Sequence, residues 1–473
     1  MAILWPTDQG SGKDRAFALS EAEATREHAT GFTTLRLESS SPDQTRTLSM
    51  HEHTLPRLMH AAGSRPLTLA QHEEVFATTQ RAAMQLSELD ASGLTGRGGA
   101  AFPTARKARL IREQRGHNKF VVVNAMEGEP ASHKDRTLLS THPHLVLDGA
   151  EYLASIVGAK NIAVCVARDE ATVVNHVERA IHERSRRSLR GPKLELHTPP
   201  WRYVAGEESA LVHWLDDNES LPQYRPTRPH ILRIGHAPVL VDNVETCANV
   251  GLIGRYGAAW FRGLGTVESP GSTLVSVTGA VERPTVLEVA LGTPLRVILE
   301  SANADPDPQA LLLGGYGGSW LAASHLDLNY CNEDLARASA STGAGVIVVL
   351  PRGACGIVET LRVVRWMANE SARQCGPCAF GLPAIAEDLN HLAHPSRDPM
   401  SAYKRLEERL GEIDGHGACR HPDGVVRFVR SALATFAQDF SAHAHASACA
   451  GSRANVHYAS VPHLEREEEL VWE

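Results

Sequence analysis

Three cysteines near the C-terminal end carry the first chemical signal. The run Glu370-Ser371-Ala372-Arg373-Gln374-Cys375-Gly376-Pro377-Cys378 is followed by Cys419, 41 positions after Cys378 (419 − 378). Soft thiolate ligands in this layout select an iron–sulfur cluster or zinc. The run fits a Cys-x-x-Cys-x-x-Cys pattern whose first cysteine has become Ala372. Four ligands are the usual complement, so the missing one bears directly on how such a site works. Zinc held by Cys375, Cys378, Cys419 and His421 also satisfies the ligand chemistry.

Four polar segments upstream are candidates for a nucleotide site. Gly96-Arg97-Gly98-Gly99-Ala100-Ala101-Phe102-Pro103-Thr104 leads into a basic helix with Arg106, Lys107 and Arg109. Successive glycines let backbone N–H groups approach phosphate oxygens, and a helix N-terminus adds positive potential. The spacing is neither a Rossmann fingerprint nor a P-loop. Asn124-Ala125-Met126-Glu127-Gly128-Glu129-Pro130 directly follows a strand ending at Val123, where open α/β sheets place functional groups. Its carboxylates suit ribose hydroxyls or the orientation of a nicotinamide; taken alone, the segment also reads as a solvated acidic turn. Tyr203-Val204-Ala205-Gly206-Glu207-Glu208-Ser209 precedes an apolar helix, so Glu207 and Glu208 also suit a helix-dipole role. Asp242-Asn243-Val244-Glu245-Thr246 offers hydrogen-bonding groups for a phosphate or flavin, and equally a turn and an N-cap.

The elements that must position these groups divide the chain. Its 473 residues exceed one compact core, so roughly two to four domains are expected. Residues 1–80 are polar and His-rich and read as a loosely ordered N-terminal segment. Residues 81–265 alternate glycine turns, β-branched strands such as Phe120–Val123, and amphipathic stretches, as α/β layers do. Residues 270–335 read as a small α+β unit. Residues 345–440 begin with a strand at Gly345–Leu350 and then carry helical periodicity at Ile357, Leu361 and Val364, at Leu382, Ile385 and Leu389, and at Val425, Phe428 and Val429. Residues 441–473 form a tail whose acidic end, Glu465 to Glu469, reads as solvated. A formal net charge of −8 argues against non-specific nucleic-acid binding. No apolar run approaches the roughly 20 residues of a membrane span, and Met1 to Pro6 lack the pattern of a secretion signal. Eight cysteines in so long a chain do not read as a disulfide framework, so a reducing, cytoplasmic setting is expected.

Taken in this order, the four segments and the cysteine run resemble the NADH-binding flavoprotein subunit of respiratory complex I. The diaphorase subunits of NAD-linked hydrogenases and formate dehydrogenases belong to the same family. The resemblance covers roughly residues 85 to 435. It implies an α/β domain binding FMN and NADH, a small β-grasp-like domain, and a C-terminal helical domain holding a 4Fe–4S cluster. On the matching positions it assigns Gly96, Arg97, Gly98, Gly99, Phe102 and Lys107 to the FMN and NADH loop. Asn124, Glu127 and Glu129 fall on its Asn-x-Asp-Glu-Gly-Glu motif, where the two glutamates take the catalytic role. Tyr203, Gly206, Glu207 and Glu208 fall on the second acidic motif, and Asn243 and Thr246 on the flavin-side loop. Cys375, Cys378 and Cys419 supply three of four cluster ligands. The implied activity is NADH oxidation, with single electrons passed to a ferredoxin-like or other redox protein.

Several positions depart from that pattern. Met126 stands where the family has Asp and removes a polar flavin contact, and Ala101 and Ala105 replace two glycines. Ala372 cannot ligate iron. A helix from Ile357 to Glu370 would hold Cys355 roughly 20 Å away at about 1.5 Å per residue. His421, Cys449 or water remain as the fourth contact, and a 3Fe–4S cluster needs none. These departures keep open two further readings: a non-catalytic scaffold subunit of the same fold, and a zinc-stabilised binding module.

Overall fold

The computed structural model describes residues 2–4, 54–77, 84–116, 118–186, 191–224, 231–394, 396–447, 449–453 and 456–462. A five-stranded sheet forms the first layer. Its central strand, Lys119–Ala125, is parallel to Ala159–Val166 on one side and to Ala237–Asn243 on the other. Lys193–His197 extends it in parallel, and Arg233–Ile234 closes the far edge antiparallel. Val121, Val122 and Val123 are all buried, as strands covered on both faces require. After the central strand the chain moves outward in one direction to the second and third strands, then returns to the opposite side. This reversal opens a crevice at the strand ends after Ala125 and Asn243, where such sheets bind ligands.

Helices Pro143–Val157 and Val244–Tyr256 pack tightly against each other beside this sheet. A Cβ on Gly149 would lie 1.7 Å from the Cys247 carbonyl oxygen, so only glycine permits the approach.

The second sheet runs Ala2–Leu4, Thr285–Ala290, Ser272–Gly279, Val346–Pro351, Pro308–Leu313, Ser319–Ala322. Its inner pair, Ser272–Gly279 and Val346–Pro351, is parallel, and the other pairings are antiparallel, an arrangement of the β-grasp type. The sheet thus takes an inner strand from beyond residue 335, where the sequence placed the end of the small domain. Val346 to Leu350 are fully buried, and a short buried apolar run carries no mark of the sheet it joins.

The helices that follow, Gly356–Asn369, Leu382–Ala393, Pro399–Ile413, His421–Thr435 and Ala437–Ala444, enclose a core with Trp366, Leu389, Phe428 and Phe440. Residues 54–77 correct the expectation of a loosely ordered N-terminal segment. Leu58, Met59 and Phe76 are buried, and the Glu288 carboxylate accepts the backbone N–H groups of Arg57, Leu58 and Met59 at 2.9–3.0 Å. A carboxylate more than 200 residues away in the chain anchors this stretch, which local composition cannot show. The rest of the N-terminal segment, apart from the Ala2–Leu4 strand, and the acidic end at 465–469 lie outside the described residues.

Candidate active site

A cavity of about 840 Å³ lies where the first sheet, the turns of the second and the helical unit meet. It falls toward the upper end of the ~300–1,000 Å³ usual for small-molecule sites. Every nucleotide-site residue expected from the sequence, from Gly96 to Thr246, lines it.

The glycine loop is fastened from both sides. Gly96 N–H donates to the Phe102 carbonyl at 2.9 Å, and Arg97 N–H to the Thr246 hydroxyl oxygen at 2.8 Å. Thr246 therefore ties the loop to the start of the Val244–Tyr256 helix and keeps its own proton free to donate. The Arg97 side chain turns inward to the carbonyls of Pro270 and Ser272, so its role is to join the loop to the second sheet. Ala101 adopts φ 49°, a left-handed conformation that costs a residue bearing a Cβ roughly 1 kcal/mol. Lys107 reaches Glu208 at 2.5 Å and Asp242 at 3.9 Å. Burial pulls its ammonium down, but these two carboxylates raise it above the ordinary value. Asp242 Oδ2 is left buried without a hydrogen-bond partner among the described residues.

The two glutamates of the second segment differ in kind. Glu127 accepts the N–H of Asp135 and Arg136, the Ser132 hydroxyl and the Arg136 side chain at 2.7–3.2 Å. Burial works against its charge, yet Arg136 and Lys134 hold the carboxyl below its usual range. Glu127 is thus a permanent anion that organises the start of the Lys134–Thr141 helix. Glu129 accepts Tyr316 N–H at 2.8 Å on Oε2 and Ala131 N–H at 3.4 Å on Oε1. Burial pushes it up to about 7, so it carries an exchangeable proton near neutrality. Met126, where the family has Asp, contributes no group to the cavity. Its side chain is buried among Val122, Ala163, Cys165 and Leu211 and does not line the cavity.

Asn124 donates to the Gly206 carbonyl at 2.8 Å, joining the first acidic segment to the second. Glu207 caps the Glu208–Asp217 helix, accepting the N–H of Ser209 at 2.8 Å and of Ala210 at 3.3 Å. Tyr203 packs edge-on against Trp366 and His421 and so brings the helical unit onto the α/β layer. Asn243 caps the Val244–Tyr256 helix through Glu245 N–H and donates to Asp135 at 2.5 Å.

Sequence reasoning missed Lys134 and Asp135, which also line the cavity. Lys134 is buried between Asp135 at 2.8 Å and Glu245 at 3.1 Å; despite burial, these carboxylates raise its ammonium above the ordinary value. The available signal was a charged pair four and five residues past Pro130 in the same connection. Gly314, Gly317 and Gly318, Ser341, Gly343 and Ala344, and Arg427, which also line the cavity, come from distant segments and gave no signal.

Of the three cluster cysteines, Cys419 lines the cavity itself. The Cys378 thiol contacts that of Cys375 and the Ser371 hydroxyl, and it feels Cys419. Burial pushes Cys378 up and Cys419 up to about 11. The backbone around them is irregular: Arg373 has φ 51°, and Pro377–Gly381 forms a π-helical turn, a form frequent at functional sites. Cys355 stands at the N-cap of the Gly356–Asn369 helix, and Cys449 lies beside it. Both therefore sit at the end of that helix remote from the cysteine run, which removes Cys449 as well as Cys355 from the fourth-ligand candidates. His421 is buried. Its Nε2 bonds the Met367 carbonyl at 2.9 Å and its Nδ1 has no partner among the described residues.

Residues 89–252 match the model of the Nuo51 FMN-binding domain, and residues 359–443 that of the NADH-ubiquinone oxidoreductase-F iron-sulfur binding region. The F subunit of the NADH-quinone oxidoreductase of Salmonella typhimurium is 30% identical over 374 residues, covering 76% of this chain and 83% of the relative. The chain belongs to the family of NADH-quinone oxidoreductase F subunits. The F 2 subunit of the Rhizobium meliloti enzyme is 29% identical over 371 residues, 76% of this chain and 88% of the relative. Among solved structures, an NAD+-reducing [NiFe]-hydrogenase in the H2-reduced state is similar with a TM-score of 0.70 at 30% identity. That match covers 76% of this chain and 62% of the hydrogenase chain, so the present chain spans less than two thirds of its length.

The F-type fold thus carries an FMN-binding domain and an iron–sulfur region in one chain. The residues fit both groups. The cavity offers glycine backbone, a free hydroxyl proton on Thr246, and the unpartnered Asp242 Oδ2 and His421 Nδ1. The cysteine side offers three thiols and, among the described residues, no fourth. No helix among the described residues is long and apolar enough to cross a membrane.

Proposed function

We infer that this protein oxidises NADH in the large cavity and hands single electrons to a redox partner by way of Cys419 and its neighbours. The observation that carries this reading is that Cys419 and the Gly96–Gly99 loop line the same cavity. FMN, when bound, accepts a hydride and releases electrons one at a time, which a cluster requires. Gly98, Gly99, Thr246 and Lys107 would hold the phosphate-bearing ligands, and Glu207 and Glu208 their hydroxyls. These carboxylates also disfavour a 2′-phosphate and so select NADH over NADPH. Glu129, rather than Glu127, is the group able to take up or give the proton that accompanies hydride chemistry, at Oε1. Tyr203, Trp366 and His421 fill the space between cavity and helical core and keep water from it.

Cys375, Cys378 and Cys419 would hold the cluster as thiolates, and His421, whose Nδ1 has no partner among the described residues, would be the candidate protein ligand for the fourth iron. The partner is a ferredoxin-like or other redox protein, and the setting is the cytoplasm. Protein purified without oxygen should show a flavin spectrum bleached by NADH, and an iron signal in EPR after reduction. An intact protein that binds neither FMN nor NADH would sink the activity and leave the scaffold reading. Zinc in place of iron at the cysteine run would favour the binding module. His421→Ala should change the EPR line shape, and an unchanged spectrum removes the histidine from the ligand set.

A further inference from the structure

Another cluster of metal-binding side chains lies well away from this site. Cys355 Sγ, Cys449 Sγ and a ring nitrogen of His443 lie within 4.8 Å of one another. Two thiolates on a tetrahedral zinc, each at about 2.3 Å, stand about 3.8 Å apart, so little movement is needed for all three to reach one ion. They come from three separate places in the chain: the N-cap of the Gly356–Asn369 helix, the Ala437–Ala444 helix, and Cys449, just before the Ala450–Arg453 helical turn. Convergence from such separate positions is a property of the tertiary structure. The Gly356–Asn369 helix has 14 residues and so sets this cluster roughly 20 Å from the cysteine run.

His443 is buried and pre-oriented. Its Nδ1 bonds the Leu392 carbonyl at 2.8 Å, which fixes Nδ1 as the protonated nitrogen and leaves a lone pair on Nε2. That lone pair now accepts the Cys449 backbone N–H at 3.0 Å. A backbone carbonyl behind the imidazole is the usual support of a metal-bound histidine. Beside the cluster, a cavity of about 180 Å³, lined in part by Cys355, Gly451 and Tyr458, leaves room for an entering ion and a fourth, solvent ligand.

We propose that Cys355, His443 and Cys449 form a second metal site, for a zinc-class divalent cation, that pins the C-terminal segment to the start of the Gly356–Asn369 helix. Binding exchanges the Cys449 N–H on His443 Nε2 for the ion and releases two thiol protons to solvent. Two thiolates then balance the ion's double charge and no electron moves. Clamping has a clear mechanical consequence: Gly451 already packs on the backbone at Gly353 and Cys355, and beyond it Tyr458 and Ala459 donate backbone N–H groups to Glu359.

The test is elemental analysis of the full-length protein, purified without oxygen, for zinc and iron together, repeated on Cys449→Ser and His443→Gln. The expected result is one zinc per chain in the parent, lost from both variants, with flavin and iron contents unchanged as the check that they are folded. Cobalt added to zinc-stripped protein should give an intense thiolate-to-cobalt absorption that Cys449→Ser abolishes. The proposal is overturned by a parent with no zinc and no cobalt band, by zinc retained in both variants, or by a Cys355–Cys449 disulfide in the parent's peptide map. None of these outcomes depends on NADH oxidation, so each can be told apart from failure of the proposed activity.

Discussion

Glu129→Gln isolates the proton that the site holds near neutrality. The native carboxyl is raised from 4.5 to about 7 by burial, and its native value exceeds its unfolded one. The folded protein therefore keeps a proton across a window in which the unfolded chain has lost it. The stabilisation is fully present below about pH 4.5 and is lost as pH rises through about 7. A shift of this size corresponds to about 3 kcal/mol at 1.36 kcal/mol per unit. Glutamine mimics the protonated acid: its carbonyl can still accept Tyr316 N–H, the stronger of the two contacts. Urea unfolding of both proteins at steps from about pH 4 to about pH 8 is the assay. Wild type and variant should be close at the acid end, and the variant should gain about 3 kcal/mol relative to wild type at the alkaline end. The pH profile of flavin bleaching by NADH should lose an inflection near 7 in the variant. A stability difference independent of pH, together with an unchanged inflection, would refute the assignment of that proton to Glu129.

Other perturbations test the frame around the site. Gly149→Ala should cost more than about 2 kcal/mol, because its Cβ would fall on the Cys247 carbonyl and force two helices apart; thermal unfolding measures it. Ala372→Cys should raise iron and sulfide per chain and slow cluster loss in air, by supplying the absent thiolate; unchanged iron content and decay would mean the fourth position is already filled or out of reach. Asp148→Asn should destabilise by about 3 kcal/mol or more, since Asp148 anchors buried His72 at 2.9 Å, Arg184 at 2.6 Å and Arg255. Burial works against the Asp148 charge, but His72 and the two arginines hold its carboxyl far below the usual range. Its contribution is present above about pH 4 and is lost on acidification, so the variant should unfold with a weaker dependence on acid than the parent.

The sequence alone determined what depends on residue type and spacing within short segments. The Gly96–Gly99 loop, the paired acids at 127 and 129, and the cysteines at 375 and 378 are written locally, since each constrains only a few turns of backbone. The helix after Cys355 was equally legible, and its length alone set that cysteine apart from the cysteine run. What required the tertiary structure were the properties created by neighbours far along the chain. Glu127 and Glu129 look alike in sequence; Arg136 and Lys134 keep one charged, while burial beneath Tyr316 holds a proton on the other. Met126 stands beside them in sequence, yet its side chain packs into the core among Val122, Ala163, Cys165 and Leu211. The Val346–Pro351 strand could not reveal its sheet, and the residues before Phe76 could not reveal the Glu288 carboxylate that fastens them. Cys449, free in sequence to reach the cluster, was drawn instead to Cys355 and His443. Packing and burial act across the whole chain, and no local pattern records them.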